Sequence, residues 1–174
     1  MSPGDTSTAA ATRSGRTTSP AARPPTSRAR GDVLRGPIVY VSDGDTIGVR
    51  LNGTVTRIRL IGIDAPESKD PNEPVGCFGL QASAIAHRLL PRGTAVSVVT
   101  DPTQDRIDRY HRLLAYVFTR NNPVSINEQL VGDGAARVYV YRRNRPPRRL
   151  AKLRAAERQA KAAARGLWAA CPTG

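Results

Sequence analysis

From Val33 onward the chain falls into short runs of alternating apolar and polar residues separated by turn residues: Val33 to Val41, Asp45 to Leu51 and Val55 to Ile61. Asn52-Gly53 stands between the second and third runs, and this dipeptide between alternating runs predicts a hairpin because both residues tolerate positive φ. Two further strands are expected at Thr94 to Thr100 and Leu113 to Phe118. Phe78, Ala82, Ile85 and Leu89 recur at helical spacing ahead of Pro91-Arg92-Gly93, which predicts one amphipathic helix packed on the sheet. Val124 to Val131 reads as a short helix ended by Gly132 or Gly134. Pro146-Pro147 opens a longer Ala-rich helix running to about Arg165, with Leu150, Leu153, Ala156 or Glu157, Ala160, Ala164 and Leu167 as its inner stripe. Five short strands with helices between and after them make an α+β chain, most economically a small closed or partly closed barrel with capping helices.

Residues 1–30 break the pattern. They are Ser, Thr, Ala, Pro and Arg with Met1 as the single large apolar side chain, and such a segment cannot bury enough surface to offset its ordering entropy. The expectation is a disordered basic tail over 1–30 and one folded domain over 31–171. The tail carries no apolar core of a secretory signal, so the chain is either cytosolic or begins after a leader has been removed.

Charge adds a partner class. The 174 residues carry 27 Lys and Arg against 14 Asp and Glu, a net +13, which points to polyanions. The excess sits at the ends: five basic residues against one acidic in 1–30, and eleven against one in 137–165. Residues 31–136 hold eleven against twelve. The longest apolar runs, such as Leu113 to Phe118, are too short for a membrane-spanning helix.

The polar residues that could do chemistry concentrate in the second and third strands and the loop beyond: Asp43-Gly44-Asp45-Thr46, Arg57, Arg59, Asp64 and Glu67. A hairpin sets the start of one strand beside the end of the next, so Asp45 and Asp64 can meet, and two converging carboxylates suit a hard cation. Strand parity puts Arg57, Arg59 and Ile61 on one face and Asp64 on the other. The chain must therefore leave regular strand geometry near Gly62 if Arg59 and Asp64 are to share a pocket. Pro66 fixes the backbone between Asp64 and Glu67 and holds a third carboxylate at a set distance. A cation, a guanidinium and a further carboxylate are the parts needed to hydrolyse a phosphodiester. Tyr139 and Tyr141 alternate with Val138 and Val140 just before Arg142-Arg143-Asn144-Arg145. Parity gives both rings one face, from which they stack on a base or flank its sugar, or one of them packs under the last helix. No Cys or His stands at zinc-ligand spacing.

Taken in order, Asp43-Gly44-Asp45-Thr46, Arg59 to Glu67 (RLIGIDAPE), Asp108 to Val117 (DRYHRLLAYV), Asn127-Glu128-Gln129-Leu130, Gly134-Ala135-Ala136 and Gly166-Leu167-Trp168 resemble the staphylococcal nuclease family over about Val33 to Trp168. The resemblance implies a five-stranded OB-fold barrel with three helices and a Ca²⁺-dependent nuclease acting on DNA and RNA as a monomer. It implies Asp45 and Asp64 as side-chain ligands of Ca²⁺, with the Ala65 carbonyl as a backbone ligand. Glu67 would be the general base or water-orienting carboxylate, Arg59 and Arg112 would bind the scissile phosphate, and Arg112 would also assist the leaving 5′-oxygen. Arg109 and Tyr110 would touch the neighbouring phosphate and sugar or base, and Tyr139 and Tyr141 the nucleotide. Ala65 replaces a Thr of the type member, which matters little for a main-chain ligand. His111 replaces a Gly, and a His is strained there if the position takes φ > 0.

The same resemblance brings the C-terminal segment against the body of the domain and makes Cys77 and Cys171 a candidate disulfide. A disulfide fits an oxidising compartment, so an exported mature form, extracellular or in the cell envelope, is the expectation. Two other function classes compete with the nuclease: a catalytically silent module of the same fold that binds nucleic acid or protein, and a basic domain whose tails merely adhere to nucleic acid.

Overall fold

The computed structural model describes residue 1, residues 31–68 and residues 75–171. The expected disordered tail therefore lies, Met1 apart, outside the described residues.

Strands β1 (Val33–Asp43), β2 (Thr46–Leu51), β3 (Thr54–Leu60), β5 (Ala95–Val99) and β6 (Leu113–Thr119) close a barrel in the order β1-β2-β3-β6-β5. This is the five-stranded barrel expected from the sequence. Every pairing is antiparallel except β3 with β6, which run parallel. β1 serves two neighbours: Val33 to Pro37 pair with β5, and Ile38 to Asp43 pair with β2 through two register irregularities. Such irregularities bend a strand, and bending lets one strand close a small barrel. Ile38, Val49, Ile58, Leu60, Val98 and Val117 fill the interior.

Helix α1 (Gly79–Leu89) packs Ala82 and Ala86 against this core, and helix α2 (Ile126–Gly132) adds Leu130. Ser125 caps α2 by accepting the Glu128 N–H. Buried Asn127 fixes α2 to the barrel: its Oδ1 accepts from the Val117 N–H at 3.1 Å, and its Nδ2 donates to the Ile61 carbonyl at 2.9 Å.

The C-terminal helix departs from expectation at both ends. Helix α3 covers Leu150–Ala162 rather than starting at Pro146-Pro147, because Asp101 and the Tyr116 hydroxyl take the Arg148 and Arg149 N–H groups and hold that approach in an extended turn. Leu153 and Ala160 are its buried residues. Ala164 and Gly166 have φ of 47° and 55°, which ends the helix and puts Leu167 on a fourth, four-residue helix, α4 (Leu167–Ala170). Among the described residues the expected three helices become four.

A two-stranded sheet outside the barrel was not anticipated: β4 (Ile63–Asp64) pairs antiparallel with β7 (Arg137–Val138). Two-residue strands carry no periodicity, so their signal in the sequence is nil.

Candidate active site

In the β2–β3 ladder Thr46 lies opposite Arg59, so Asp45 arrives beside the end of β3. Gly62 then takes φ 79°, the departure from strand geometry that parity required, and turns Asp64 back towards Arg59. The guanidinium of Arg59 bridges the two carboxylates, with Nη1 3.1 Å from Asp45 Oδ2 and Nη2 2.9 Å from Asp64 Oδ1. Nη1 also donates to the Ile63 carbonyl at 2.8 Å, which fixes its orientation. Asp45 is nearly buried, whereas the Asp64 side chain is 59% exposed and faces solvent. Asp45 Oδ2 accepts the Ala65 N–H at 2.9 Å. That approach needs Gly44, because a Cβ there would stand 2.5 Å from the Ala65 Cβ.

Arg112 reaches the same place by a different route. Parallel pairing sets Leu113 opposite Ile58 and Leu114 opposite Arg59, which delivers the residue before β6 to the end of β3. Asp108 then grips Arg112 through Nε at 2.8 Å and Nη2 at 2.7 Å and accepts its backbone N–H at 2.9 Å. Arg112 Nη1 donates to the Thr46 hydroxyl at 3.2 Å. Burial raises the Asp108 pKa, but the Arg112 backbone, side chain and charge and the Tyr110 N–H outweigh it, so the net shift is downward. His111 has φ 59°, so this turn does impose the left-handed conformation on a His, and Arg112 is still placed. Tyr110 lies between two cations, 4.7 Å from the Arg109 guanidinium carbon and 5.1 Å from that of Arg112.

Tyr139 and Tyr141 form the opposite wall. The Tyr139 N–H donates to the Gly62 carbonyl, extending the β4–β7 ladder, and both rings are exposed. Neither packs under the last helix. Asp105 pairs with Arg142 at 3.0 Å and Arg145 at 3.5 Å between the walls. Arg59, Asp64, Arg109, Tyr110, Arg112, Tyr139 and Tyr141 thus line one groove of about 500 Å³.

Glu67 and Asp45 are outside that lining. The Glu67 charge nonetheless reaches Asp43: burial, then the charge of Asp45, and more weakly that of Glu67, push the Asp43 pKa up to about 6, against a backbone hydrogen bond that lowers it. Glu67 Oε1 accepts the Ser68 N–H at 2.8 Å. Its carbonyl accepts the Gly76 N–H at 2.9 Å, and a Cβ on Gly79 would come within 2.2 Å of that oxygen. The start of α1 is therefore pressed against the Glu67 backbone, and Cys77, in that same segment, forms a disulfide with Cys171.

Among the described residues no three His, Cys, Asp or Glu side chains gather as a metal cage. Two carboxylates, Asp45 and Asp64, converge on Arg59. An oxygen-only pair with one member open to solvent fits a hard cation that completes its shell with water.

Four further residues shape the site and had no assigned role. Asp108 and Thr46 hold Arg112, Asn127 ties α2 to the strand ends beneath the groove, and Asp105 spans its walls. The signal for Asp108 was present, since it precedes Arg112 by four residues in a turn.

The profile described as staphylococcal nuclease homologue matches residues 57–170. The chain is 35% identical over 131 residues to the thermonuclease of Staphylococcus hyicus, an alignment covering 75% of this chain and 73% of that protein. It is 35% identical over 123 residues to an uncharacterised protein of Methanocaldococcus jannaschii, with 60% and 59% covered. Against the endonuclease YncB of Bacillus subtilis it is 38% identical over 127 residues, with 72% and 57% covered. The chain spans under three-fifths of the length of these last two relatives. Matched by the profile from the third barrel strand through the groove to the C-terminal helices, and by a thermonuclease over most of both chains, the chain belongs to the staphylococcal nuclease homologue family.

Proposed function

We propose that the protein is a Ca²⁺-dependent endonuclease that hydrolyses phosphodiester bonds in both DNA and RNA. The observation that carries this reading is the convergence of Arg59 and Arg112 on one groove, each held in place by carboxylates. A phosphate entering the groove meets two oriented guanidinia, the geometry best suited to a doubly contacted phosphoryl group. Water attacks phosphorus as the P–O5′ bond breaks. Glu67 takes the proton of that water, Arg59 and Arg112 neutralise the charge growing on the equatorial oxygens, and Arg112 hydrogen-bonds to the departing 5′-oxygen, which takes its proton from solvent. Ca²⁺ at Asp45, Asp64 and the Ala65 carbonyl would supply Lewis-acid polarisation of the phosphoryl oxygen. Tyr110, Tyr139 and Tyr141 offer ring faces and Arg109 a further charge. Stacking and phosphate pairing use features common to DNA and RNA, which supports action on both.

The Cys77–Cys171 bridge supports an oxidising, extracytoplasmic setting. Digestion of single-stranded DNA and of RNA tests the proposal. Cleavage should require Ca²⁺, stop with chelator, and fall by about 10²- to 10⁴-fold in Glu67→Gln and in Arg59→Ala. Cleavage at full rate in chelator would remove the metal from the proposal. Salt-sensitive binding without any turnover would instead establish the silent binding module.

A further inference from the structure

Past Tyr139 and Tyr141, the same outward face continues to a set of cations that the groove does not use. Along 137–141 the exposed positions are Arg137, Tyr139 and Tyr141. Arg137 lies over the Trp168 ring, its guanidinium carbon 5.2 Å from the centroid, and Lys161 Nζ lies 4.3 Å from the same centroid. Lys161 follows Arg154 and Arg158 at helical spacing on α3, and all three are exposed while Leu153 and Ala160 turn to the core. Cations therefore run from the groove wall across Trp168 and along the outer face of α3.

Their partners distinguish these cations from their neighbours. Arg142 and Arg145 are committed to Asp105, and Arg149 to Glu128. Among the described residues, Arg137, Arg154 and Arg158 have no carboxylate at ion-pair distance. Lys161 has only an exposed 3.5 Å contact to Glu157, whose other oxygen holds the Val138 N–H. Like charges gathered without counter-charges repel one another, and a polyanion relieves that repulsion. From Arg154 to Lys161 the helix rises about 10 Å, the axial length of about three phosphates of one strand.

We propose that Arg137, Arg154, Arg158 and Lys161, with the Trp168 ring between them, form a second nucleic-acid-binding surface that grips the phosphates flanking the segment held in the groove. The proposal rests on the nuclease reading for its ligand class. It makes the protein favour long substrates over short ones, because only a long strand occupies both surfaces at once.

The test is the triple variant Arg154→Gln/Arg158→Gln/Lys161→Gln, whose positions are all on the surface. Fluorescence anisotropy of a labelled single strand of about 20 nucleotides, in chelator so that nothing is cleaved, is measured from about 50 to about 300 mM salt. Loss of three phosphate contacts should lower the slope of log affinity against log salt by about 2 and weaken low-salt binding at least about tenfold. Cleavage of a pentanucleotide in Ca²⁺ should stay unchanged. An unchanged salt slope overturns the proposal, and so does an equal loss on the pentanucleotide. Phosphatidylserine vesicles that sediment with the parent protein and not with the variant, while oligonucleotide binding is unaltered, overturn it in favour of a membrane surface. A parent protein that never cleaves yet loses slope in the variant rejects the nuclease reading and keeps the surface.

Discussion

Thr46 and Arg112 meet across the end of β3: Arg112 Nη1 donates to the Thr46 hydroxyl at 3.2 Å, and that hydroxyl donates in turn to Asp45 Oδ1 at 3.1 Å. One small side chain thus couples a proposed phosphate-binding arginine to a proposed metal ligand. Thr46→Val keeps the shape and removes both bonds. A hydrogen bond to a charged group contributes about 1.5 kcal/mol, so kcat/KM should fall about tenfold, and Thr46→Ser should recover most of it. Equal rates for Thr46→Val and the parent protein would show that Asp108 alone positions Arg112.

Acid stability should depend on Asp101. This buried carboxylate is raised by burial, but hydrogen bonds from the Thr103 and Arg148 N–H groups and the Thr103 and Tyr116 hydroxyls outweigh that, and its pKa lies below the ordinary value. A group whose pKa is lower folded than unfolded contributes stability above its unfolded pKa, and the contribution fades as pH falls through its folded pKa. Urea midpoints of the parent protein should therefore decline below about pH 4, where carboxylates titrate. Asp101→Asn should show a lower midpoint at pH 7 and a flatter decline. A parallel curve for the variant would deny Asp101 this role.

Reduction should weaken the fold. Cys77 and Cys171 are 94 residues apart, with Cα atoms at 5.8 Å, and closing a loop of that size contributes about 4.7 kcal/mol in the chain-entropy model. Cys77→Ser/Cys171→Ser should lose that amount in urea unfolding and match the reduced parent protein. Because Gly76 holds the Glu67 carbonyl, turnover should fall more than oligonucleotide affinity.

His111→Gly should be stabilising. A left-handed conformation costs an L-residue about 1–2 kcal/mol, and glycine's extra freedom in the unfolded chain returns about 0.5–1 of it. The net gain of about 0.5–1 kcal/mol would appear in the thermal midpoint, with cleavage unchanged. A lower midpoint would show that the His111 side chain stabilises the turn.

The sequence was legible where one face of an element is buried and where motifs are ordered. Alternation located the barrel strands because a slip of one residue would expose Ile58 or Val98, and parity with Gly62 anticipated the turn that returns Asp64 to Arg59. Motif order supplied the likeness to nucleases, which no single Asp-Gly-Asp could. What stayed hidden was of another kind. The β4–β7 pair is too short to be periodic, and α3 begins late because Asp101, far away in sequence, captures the N–H of Arg148. The grip of Asp108 and Thr46 on Arg112 depends on parallel pairing of β3 with β6, a choice that alternation does not encode.

The disulfide divides the chain topologically. Residues from Cys77 to Cys171 form a covalent ring, and everything before Cys77 is an arm. Asp45, Arg59, Asp64 and Glu67 all belong to the arm, whereas Arg109, Tyr110, Arg112, Tyr139 and Tyr141 belong to the ring. Arm and ring meet through the β1–β5, β3–β6 and β4–β7 pairings. Lifting the arm away therefore separates Asp45, Arg59, Asp64 and Glu67 from Arg112 and the three tyrosines while the ring stays closed, so the groove exists only as a docked joint between two covalent units.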